Sequence, residues 1–429
     1  MKNKRKWIQI SMRSLLFFVI TGIICGFVIT MYKLGINHFA KFMLSYLKVC
    51  NKTIYGKICF VLTFIVLGTV IYFMNNLDSM IKGSGIPVVY GIIDAKFKVN
   101  WKKTLVYKFV SSVLTVGSGM TLGREGPSVQ IGGLVGEAVH KLSKESEEDK
   151  RYYVGASAGA GLAVAFNAPI TGVLFSVEEI FKKTNRKVFL SASVIVFCAV
   201  ITSNLLLGNH PTLVDMPKIA ALNMHTYIYV ALIGILSGIS GVLFNYIIID
   251  RKDVFNKVLP LNKYFKFLVP FVVTAIILLI DGTTFGAGEH FLSMNMYGSY
   301  SIQKIVVLYL LKIFLLYLSF AVGVPGGSLV PLLVIGALLG NFYASILCTL
   351  GIIPPSMVIV FVMLAMCGHF SSIVRAPIAG IILILEMTGG SFEYLLSLAI
   401  VSLLAYTIAE ALGKKPFYED LYERMLGNR

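Results

Sequence analysis

Three glycine-rich segments of this 429-residue chain could bind an anion through the backbone. They read GSGIP at residues 83–87, GREGP at 123–127 and GGSLVP at 326–331, and in each a proline suited to the first turn of a helix follows glycine. A helix N-terminus presents unpaired N–H groups and a partial positive charge. If the three N-termini meet, they can bind an anion without a full positive charge and still release it. Alternatively, the segments are only breaks between packed helices.

Glu125 lies inside the second segment, between Arg124 and Gly126. A carboxylate in an apolar helix break is costly unless it has a function. The ionised side chain could occupy an anion site itself, whereas the protonated side chain would lose that charge and could swing away. One residue could therefore compete with an anion and carry a proton. For Arg124 we expect a structural pairing role, with an effect on the local field as the alternative.

Glu178 and Glu179 end an apolar segment immediately before a basic cluster at residues 182–187. Basic clusters beside membrane helices mark cytoplasmic loops, so a proton could reach this pair from water on that side. The two carboxylates could instead be simple partners of Lys182 and Lys183. We favour that structural role for Glu178.

Membrane helices must position these residues. Hydrophobic residues make up 57% of the chain and charged residues only 14%, whereas soluble domains carry about 25% charged residues. Stretches without any Asp, Glu, Lys or Arg cover residues 14–32, 58–77, 188–214, 219–249 and 313–374. A spanning helix needs about 20 apolar residues, and the stretches lack the alternation of a membrane barrel. We predict an all-α polytopic membrane protein whose first helix is not a cleaved signal, because no small-residue cleavage site follows it.

The net charge of +17 does not indicate a nucleic-acid partner, because the basic residues form short clusters between apolar stretches. These clusters lie at residues 2–13, 182–187 and 414–415. They favour cytoplasmic positions for both termini, and we expect the protein in the cell membrane. The six cysteines are scattered and form no C-x-x-C pair, so we predict neither a metal nor another cofactor.

An internal repeat divides the chain. Residues 119–136 share five glycine or proline positions with residues 323–340, and APITG at 168–172 recurs as APIAG at 376–380. Repeats with interrupted helices are typical of transporters whose site lies between the halves, although the spacing leaves parallel and inverted repeats open. We predict an N-terminal cytoplasmic segment at 1–13, a first membrane repeat at 14–208, a linker at 209–225, a second repeat at 226–412 and a C-terminal segment at 413–429 that lines the pore through Tyr418.

On these motifs the chain resembles the CLC family of chloride channels and chloride/proton antiporters over about residues 80–425. The resemblance also includes SVQIG at 128–132, NAP at 167–169 before the acidic pair, and KPFY at 415–418. It implies two inverted-topology repeats of tilted, broken helices and a homodimer with one pore in each subunit. We expect a prokaryotic-type member without a C-terminal regulatory domain.

The resemblance implies roles for single residues. Ser84 and Tyr418 would offer hydroxyls to a central chloride, Glu125 would be the gate, and Glu179 would transfer protons on the cytoplasmic side. The implied anion-binding residues are Ser84, Gly85, Ile86, Arg124, Gly126, Ser328, Leu329 and Tyr418. Without the resemblance, Ser84 could be a helix cap and Tyr418 an interfacial tyrosine.

Two positions depart from the family pattern. Val88 stands where the family usually has glutamate, and Leu329 stands where it usually has phenylalanine. We expect the first to alter the electrostatics near the pathway and the second to thin the wall of the central site. Both would make coupling leakier.

We predict chloride/proton antiport in a lipid bilayer. The nearest alternative is a passive gated chloride channel, in which position 179 is commonly not glutamate. Fluoride- and nitrate-handling relatives exist, and Ser84 favours chloride. A membrane-embedded enzyme is the alternative from another class, but none of the six histidines has metal or nucleophile spacing. Lys108 and Lys312 lie in apolar segments without an evident partner, and we expect a structural, hydrogen-bonded role for Glu386.

Overall fold

The computed structural model describes residues 11–209, 224–292, 300–390 and 392–427. Most of the predicted segment 1–13 and of the predicted linker 209–225 lies outside these residues. Within them the fold is helical, and the β-type pairing consists of one bridge between Gly123 and Gly327. The helices are α1 (Met12–Cys50), α2 (Ile54–Leu77), α3 (Ile86–Ile93), α4 (Trp101–Gly117), α5 (Glu125–Ser143), α6 (Lys150–Phe166), α7 (Pro169–Phe175), α8 (Arg186–Leu207), α9 (Tyr227–Asn245), α10 (Lys252–Val258), α11 (Lys263–Ile280), α12 (Ile302–Val322), α13 (Leu329–Thr349), α14 (Val358–Val374), α15 (Pro377–Thr388), α16 (Leu395–Ala411) and α17 (Phe417–Gly427).

Many of these helices can cross a bilayer. Over the described ranges, nine helical segments are long and apolar enough to span a membrane. Large apolar side chains such as Leu205 and Ile280 point outward from them, as expected where lipid replaces water. The prediction of an all-α polytopic membrane protein is therefore confirmed.

The helices begin in two different ways. Side chains cap several of the long helices: Thr53 accepts from the amide of Gly56 at the start of α2, and Asn100 accepts from Lys103 at the start of α4. By contrast, α3, α5 and α13 begin at the three glycine-rich segments without a capping side chain. Their first N–H groups therefore remain available to another partner.

The two halves are inverted with respect to each other. Helices α4 to α7 of the first half correspond in order to α12 to α15 of the second. The amides of Gly123 and Gly327 each donate to the carbonyl of the other at 2.7 Å, so the equivalent helices α5 and α13 begin at one shared bridge and run away from it. The bridge is antiparallel, which agrees with the inverted arrangement expected of the two repeats. The repeat boundaries at 14–208 and 226–412 and the segment 413–429 stay predictions.

Glycines bring consecutive helices into close contact within each repeat. In the first, Gly132 and Gly136 of α5 lie against the backbone of Ser157 and Tyr153 in α6, where a side chain would collide. In the second, Gly340 of α13 lies against the backbone of α14 in the same way. Such small-residue contacts are typical of membrane helix pairs, which lack a hydrophobic driving force.

Each repeat contributes a carboxylate that caps the N-terminus of a helix in the other repeat. Glu178 accepts from the amides of Ile378 and Ala379 at 3.2 and 2.8 Å, at the start of α15 in the second repeat. Glu386 of α15 accepts from the amides of Ile170 and Thr171 at 2.9 and 2.8 Å, at the start of α7 in the first. The structural role expected for Glu386 is therefore confirmed.

The proposed partners of Glu178 were wrong, although its structural role was not. Lys182 pairs with Glu419 at 2.8 Å instead. The free N–H groups of α15 attract the Glu178 carboxylate because a helix N-terminus favours negative charge.

Two buried lysines obey the same symmetry. Lys108 donates to the carbonyls of Ile81 and Gly83 at 2.9 and 2.6 Å. Lys312, its equivalent, donates to the carbonyls of Thr284 and Gly286, both at 2.7 Å. Each ammonium group thus satisfies carbonyls at the turn that contains Gly83-Ser84-Gly85 or its equivalent, Gly286-Ala287-Gly288. These are the partners that could not be named from the sequence.

We predict that Glu178→Ala and Glu386→Ala each destabilise the fold, because each leaves helix N–H groups without a partner. The expected loss is about 1–3 kcal/mol per substitution, which thermal unfolding of the purified protein in detergent would detect. Glu148→Ala, in the exposed turn before α6, is the matched control and should change little. Unchanged unfolding temperatures for both capping variants would contradict the structural role.

Candidate functional site

The three glycine-rich segments meet at one place. Besides the Gly123–Gly327 bridge, the amide of Gly326 donates to the carbonyl of Gly83 at 3.1 Å, which links the third segment to the first. Gly126 is so close to the Ser84 hydroxyl and to the Gly327 backbone that a side chain there would collide with both. The N-termini of α3, α5 and α13 therefore converge, as predicted for an anion site made of helix dipoles.

Hydroxyl groups of Ser84, Ser328 and Tyr418 lie at this convergence. Helix α17 brings in Tyr418, which is fully buried, and its hydroxyl lies 3.4 Å from the Ser328 hydroxyl and also faces Ser84. The Ser84 hydroxyl is buried without a regular hydrogen-bond partner among the described residues. Polar atoms in protein interiors are normally paired, so an unpaired hydroxyl beside open helix N-termini indicates a place for a ligand.

The remaining predicted anion-binding residues supply backbone rather than side-chain polarity. Ile86 and Leu329 are the first residues of α3 and α13, and their side chains are buried in the hydrophobic core. Gly85 adopts a left-handed backbone conformation with φ of 93° immediately before α3, which favours glycine. This turn leaves the first amides of α3 without a side-chain cap.

A cavity of about 620 Å³ connects the convergence to the surface on one side. Ser84, Gly85 and Val88 form part of its inner wall, and Lys82 and Arg424 lie nearer its mouth. Arg424 is paired with Asp420 and Asp250. Val88 therefore places an apolar side chain on the cavity wall at the position where the family pattern usually has a carboxylate.

Glu125 is the first residue of α5 and is completely buried. Its carboxylate folds back over Gly123, where a side chain would collide with it, and the amides of Glu125 and Val330 face it. Within the described residues neither carboxylate oxygen makes a regular hydrogen bond. The carboxylate thus lies where the N-termini of α5 and α13 would hold an anion.

Arg124 lies between Glu125 and Glu289. Its guanidinium lies 3.7 Å from the Glu125 carboxylate and 3.7 Å from that of Glu289, whose side chain is 51% exposed. Arg124 therefore forms ion pairs, as the pairing role anticipated, and it lies beside the gate residue itself. The sequence carried no signal for Glu289, which belongs to the other repeat.

Glu179 lies on a π-helical turn, Ser176–Phe181, that continues α7. Its carboxylate is buried and accepts a hydrogen bond of 2.5 Å from the hydroxyl of Tyr90 on α3. Tyr90 is not among the site residues predicted from the sequence. The available signal was a hydroxyl-bearing side chain in the otherwise apolar helix that follows the first glycine-rich segment. Over the described part of the chain, no three His, Cys, Asp or Glu side chains lie close enough together to hold a metal ion.

Comparisons with known proteins agree with this geometry. The voltage gated chloride channel family model matches residues 64–410. The H⁺/Cl⁻ exchange transporter ClcA of Vibrio cholerae is 34% identical over 356 residues, which cover 81% of this chain and 75% of that protein. Its namesake in Vibrio parahaemolyticus is 32% identical over 427 residues, which cover 96% of this chain and 90% of that protein.

Solved structures share the fold. The crystal structure of a slow cyanobacterial Cl⁻/H⁺ antiporter superposes with a TM-score of 0.89 at 25% identity, covering 98% of this chain and 100% of that one. A CLC-type fluoride/proton antiporter superposes with a TM-score of 0.79 at 22% identity, covering 96% of this chain and 99% of that one.

We predict that Tyr418→Phe weakens chloride binding by roughly ten- to a hundredfold, because it removes one hydroxyl from the convergence and little else. A hydrogen bond to a charged partner contributes about 1.5–3 kcal/mol. Calorimetric titration of the purified protein with chloride would measure the change. Tyr343→Phe is the matched control, since its hydroxyl donates to the Tyr229 carbonyl and should not affect affinity. Unchanged affinity in folded Tyr418→Phe protein would remove Tyr418 from the site.

Proposed function

This chain belongs to the voltage gated chloride channel family, and on that premise we infer that it exchanges chloride for protons across a membrane. One observation carries the inference: of two buried carboxylates, Glu125 lies at the anion site itself, and Glu179 is hydrogen-bonded to Tyr90 on α3, the helix that begins at this site. The relatives named H⁺/Cl⁻ exchange transporter support the same pair of ions. The protein is accordingly a transporter rather than an enzyme.

Chloride binds where α3, α5 and α13 begin. The uncapped amides of these helices replace its hydration shell, and the hydroxyls of Ser84 and Tyr418 complete the coordination. Because the positive charge is only partial and is spread over several dipoles, the ion is held without the tight binding of a fixed cation. The unpaired Ser84 hydroxyl supports this role. Chloride enters from the aqueous cavity that Lys82 and Arg424 border.

Glu125 is the gate. Its ionised carboxylate lies among the amides that would hold an anion, so carboxylate and chloride compete for the same place. Protonation removes the negative charge, so the side chain is no longer attracted to the helix N-termini and can leave this position. Arg124 and the exposed Glu289 lie next to the gate, and we assign them the polar path by which Glu125 exchanges its proton with water.

Glu179 receives protons from the side of the aqueous cavity. It is buried in a helical turn just before the basic cluster at 182–187, which we place at the cytoplasmic face. A passive channel has no use for a buried carboxylate away from the anion path, and burial of such a group is costly without a function. This observation favours antiport over the channel. Glu178 has a supporting role, because its carboxylate caps α15.

The wider setting follows from the family. We place the protein in the cell membrane with both termini in the cytoplasm, as the basic clusters indicate. We expect a homodimer in which each subunit has a complete pathway, because the anion site and both carboxylates lie within one chain. No cofactor enters the scheme. Val88 on the cavity wall and Leu329 beside the central site remain the two positions at which we expect looser coupling.

We predict that Glu125→Gln stops proton transport while chloride flux persists, because the amide is neutral and has nearly the shape of the acid. Chloride flux should also lose most of its pH dependence, since the gate no longer titrates. Paired chloride and proton measurements on vesicles containing the purified variant would show both effects.

Glu137→Gln is the matched control for that experiment. Glu137 is also buried on α5 but is paired with Lys141 and Lys150, away from the glycine-rich segments. This variant should transport both ions. If Glu125→Gln protein still drove protons against their gradient, another group would carry them and the gate assignment would be wrong.

A further inference from the structure

We propose that Tyr90 is a positioning residue that retains the ionised side chain of Glu179 and releases it once it is protonated, thereby tying proton loading to the anion site. The inference rests on the proposed antiport and extends it to a residue outside both the anion-binding set and the two proton-carrying carboxylates.

The contact itself is short and enclosed. The Tyr90 hydroxyl lies 2.5 Å from Oε1 of Glu179, and the two residues are only 6% and 2% exposed. A hydrogen bond from a neutral donor to an ionised carboxylate is about twice as strong as one between neutral groups. Because the pair is shielded from water, no solvent molecule competes for the carboxylate. Ionised Glu179 is therefore held at this position.

Tyr90 is also fixed from its other sides. Its ring packs edge-on against Tyr422 of α17 at 5.8 Å between centroids. The Lys182 ammonium lies 5.6 Å from its ring centre and pairs with Glu419 of α17. Since the ring is held by these neighbours, the hydroxyl cannot follow the carboxylate if Glu179 turns away. The hydrogen bond must break for Glu179 to move.

The position of Tyr90 joins three functional elements. Its own helix, α3, begins at the anion site beside Ser84. The π-helical turn carries Glu179, and α17 carries Tyr418. Tyr90 thus contacts the turn that carries Glu179 and the helix that carries Tyr418, and its own helix begins at the anion site. A change in the charge of Glu179 therefore changes the strength of its hydrogen bond at the place where these three elements meet.

The protonation state of Glu179 decides how strongly it is held. An ionised carboxylate has a charge-assisted bond to lose, whereas a carboxylic acid has only a neutral one. Glu179 therefore leaves Tyr90 more readily with a proton than without one. If the hydroxyl is removed, the ionised side chain moves as freely as the protonated one, and chloride passes without a matching proton.

The test is Tyr90→Phe, which removes the hydroxyl and keeps the ring. In vesicles containing the purified protein, the ratio of protons to chloride transported should fall roughly tenfold, the size expected for one charge-assisted hydrogen bond, while chloride flux persists. Tyr422→Phe is the matched control: its hydroxyl donates to Asp94 at 2.8 Å, it neighbours Tyr90, and its loss should leave the ratio unchanged.

A second variant separates positioning from mere packing. In a Glu179→Gln background the carboxylate is gone, so adding Tyr90→Phe should not change chloride flux further. The proposal would be overturned if Tyr90→Phe changed chloride flux further in the Glu179→Gln background. It would also be overturned if Tyr90→Phe alone kept the wild-type ratio of protons to chloride, or if it lowered the proton and chloride fluxes equally. If the unmodified protein moved chloride but no protons, the proposed antiport would fall and this inference with it. That failure can be told apart from a failure of the Tyr90 proposal alone, because it is visible in the unmodified protein.

Discussion

The structure depends on the meeting of uncapped helix N-termini inside the membrane. Helices α3, α5 and α13 begin at glycine-rich segments that are hydrogen-bonded to one another, and their first amides face a common point. In lipid, backbone N–H groups without a partner cost several kcal/mol each. The fold can retain them only if a ligand or a side chain supplies negative charge. Chloride and the Glu125 carboxylate are the two candidates, and their competition for one place is the basis of the proposed gate.

The symmetry of the repeats makes such breaks tolerable elsewhere in the molecule. Glu178 and Glu386 each cap a helix of the opposite repeat, so the starts of α15 and α7 are satisfied from within the protein. Lys108 and Lys312 satisfy carbonyls at and just before Gly83 and Gly286. Two partly buried carboxylates and two buried lysines thus compensate broken backbone rather than bind a substrate. The anion site differs from these places because its N-termini have no capping side chain.

Much of this could be predicted from the sequence, for identifiable reasons. Apolar stretches and the ordered recurrence of glycine and proline indicate membrane helices in two repeats. Glycine before proline at three places indicates open helix N-termini, and Glu125 inside one of them indicates a gate. Contacts between the repeats could not be predicted, because Glu178 and Ile378, or Arg124 and Glu289, are far apart in the chain and show no shared pattern. Tyr90 was missed for the same reason: its partner Glu179 lies on another element.

The most direct test of two carboxylates acting on one anion path is a chloride gradient imposed across sealed vesicles that contain the purified protein and no proton gradient. The account predicts that protons move uphill against the gradient they create, and that Glu179→Ala abolishes this movement while chloride still flows. Chloride flux from the unmodified protein without any uphill movement of protons would contradict the account and would identify the protein as a passive chloride channel.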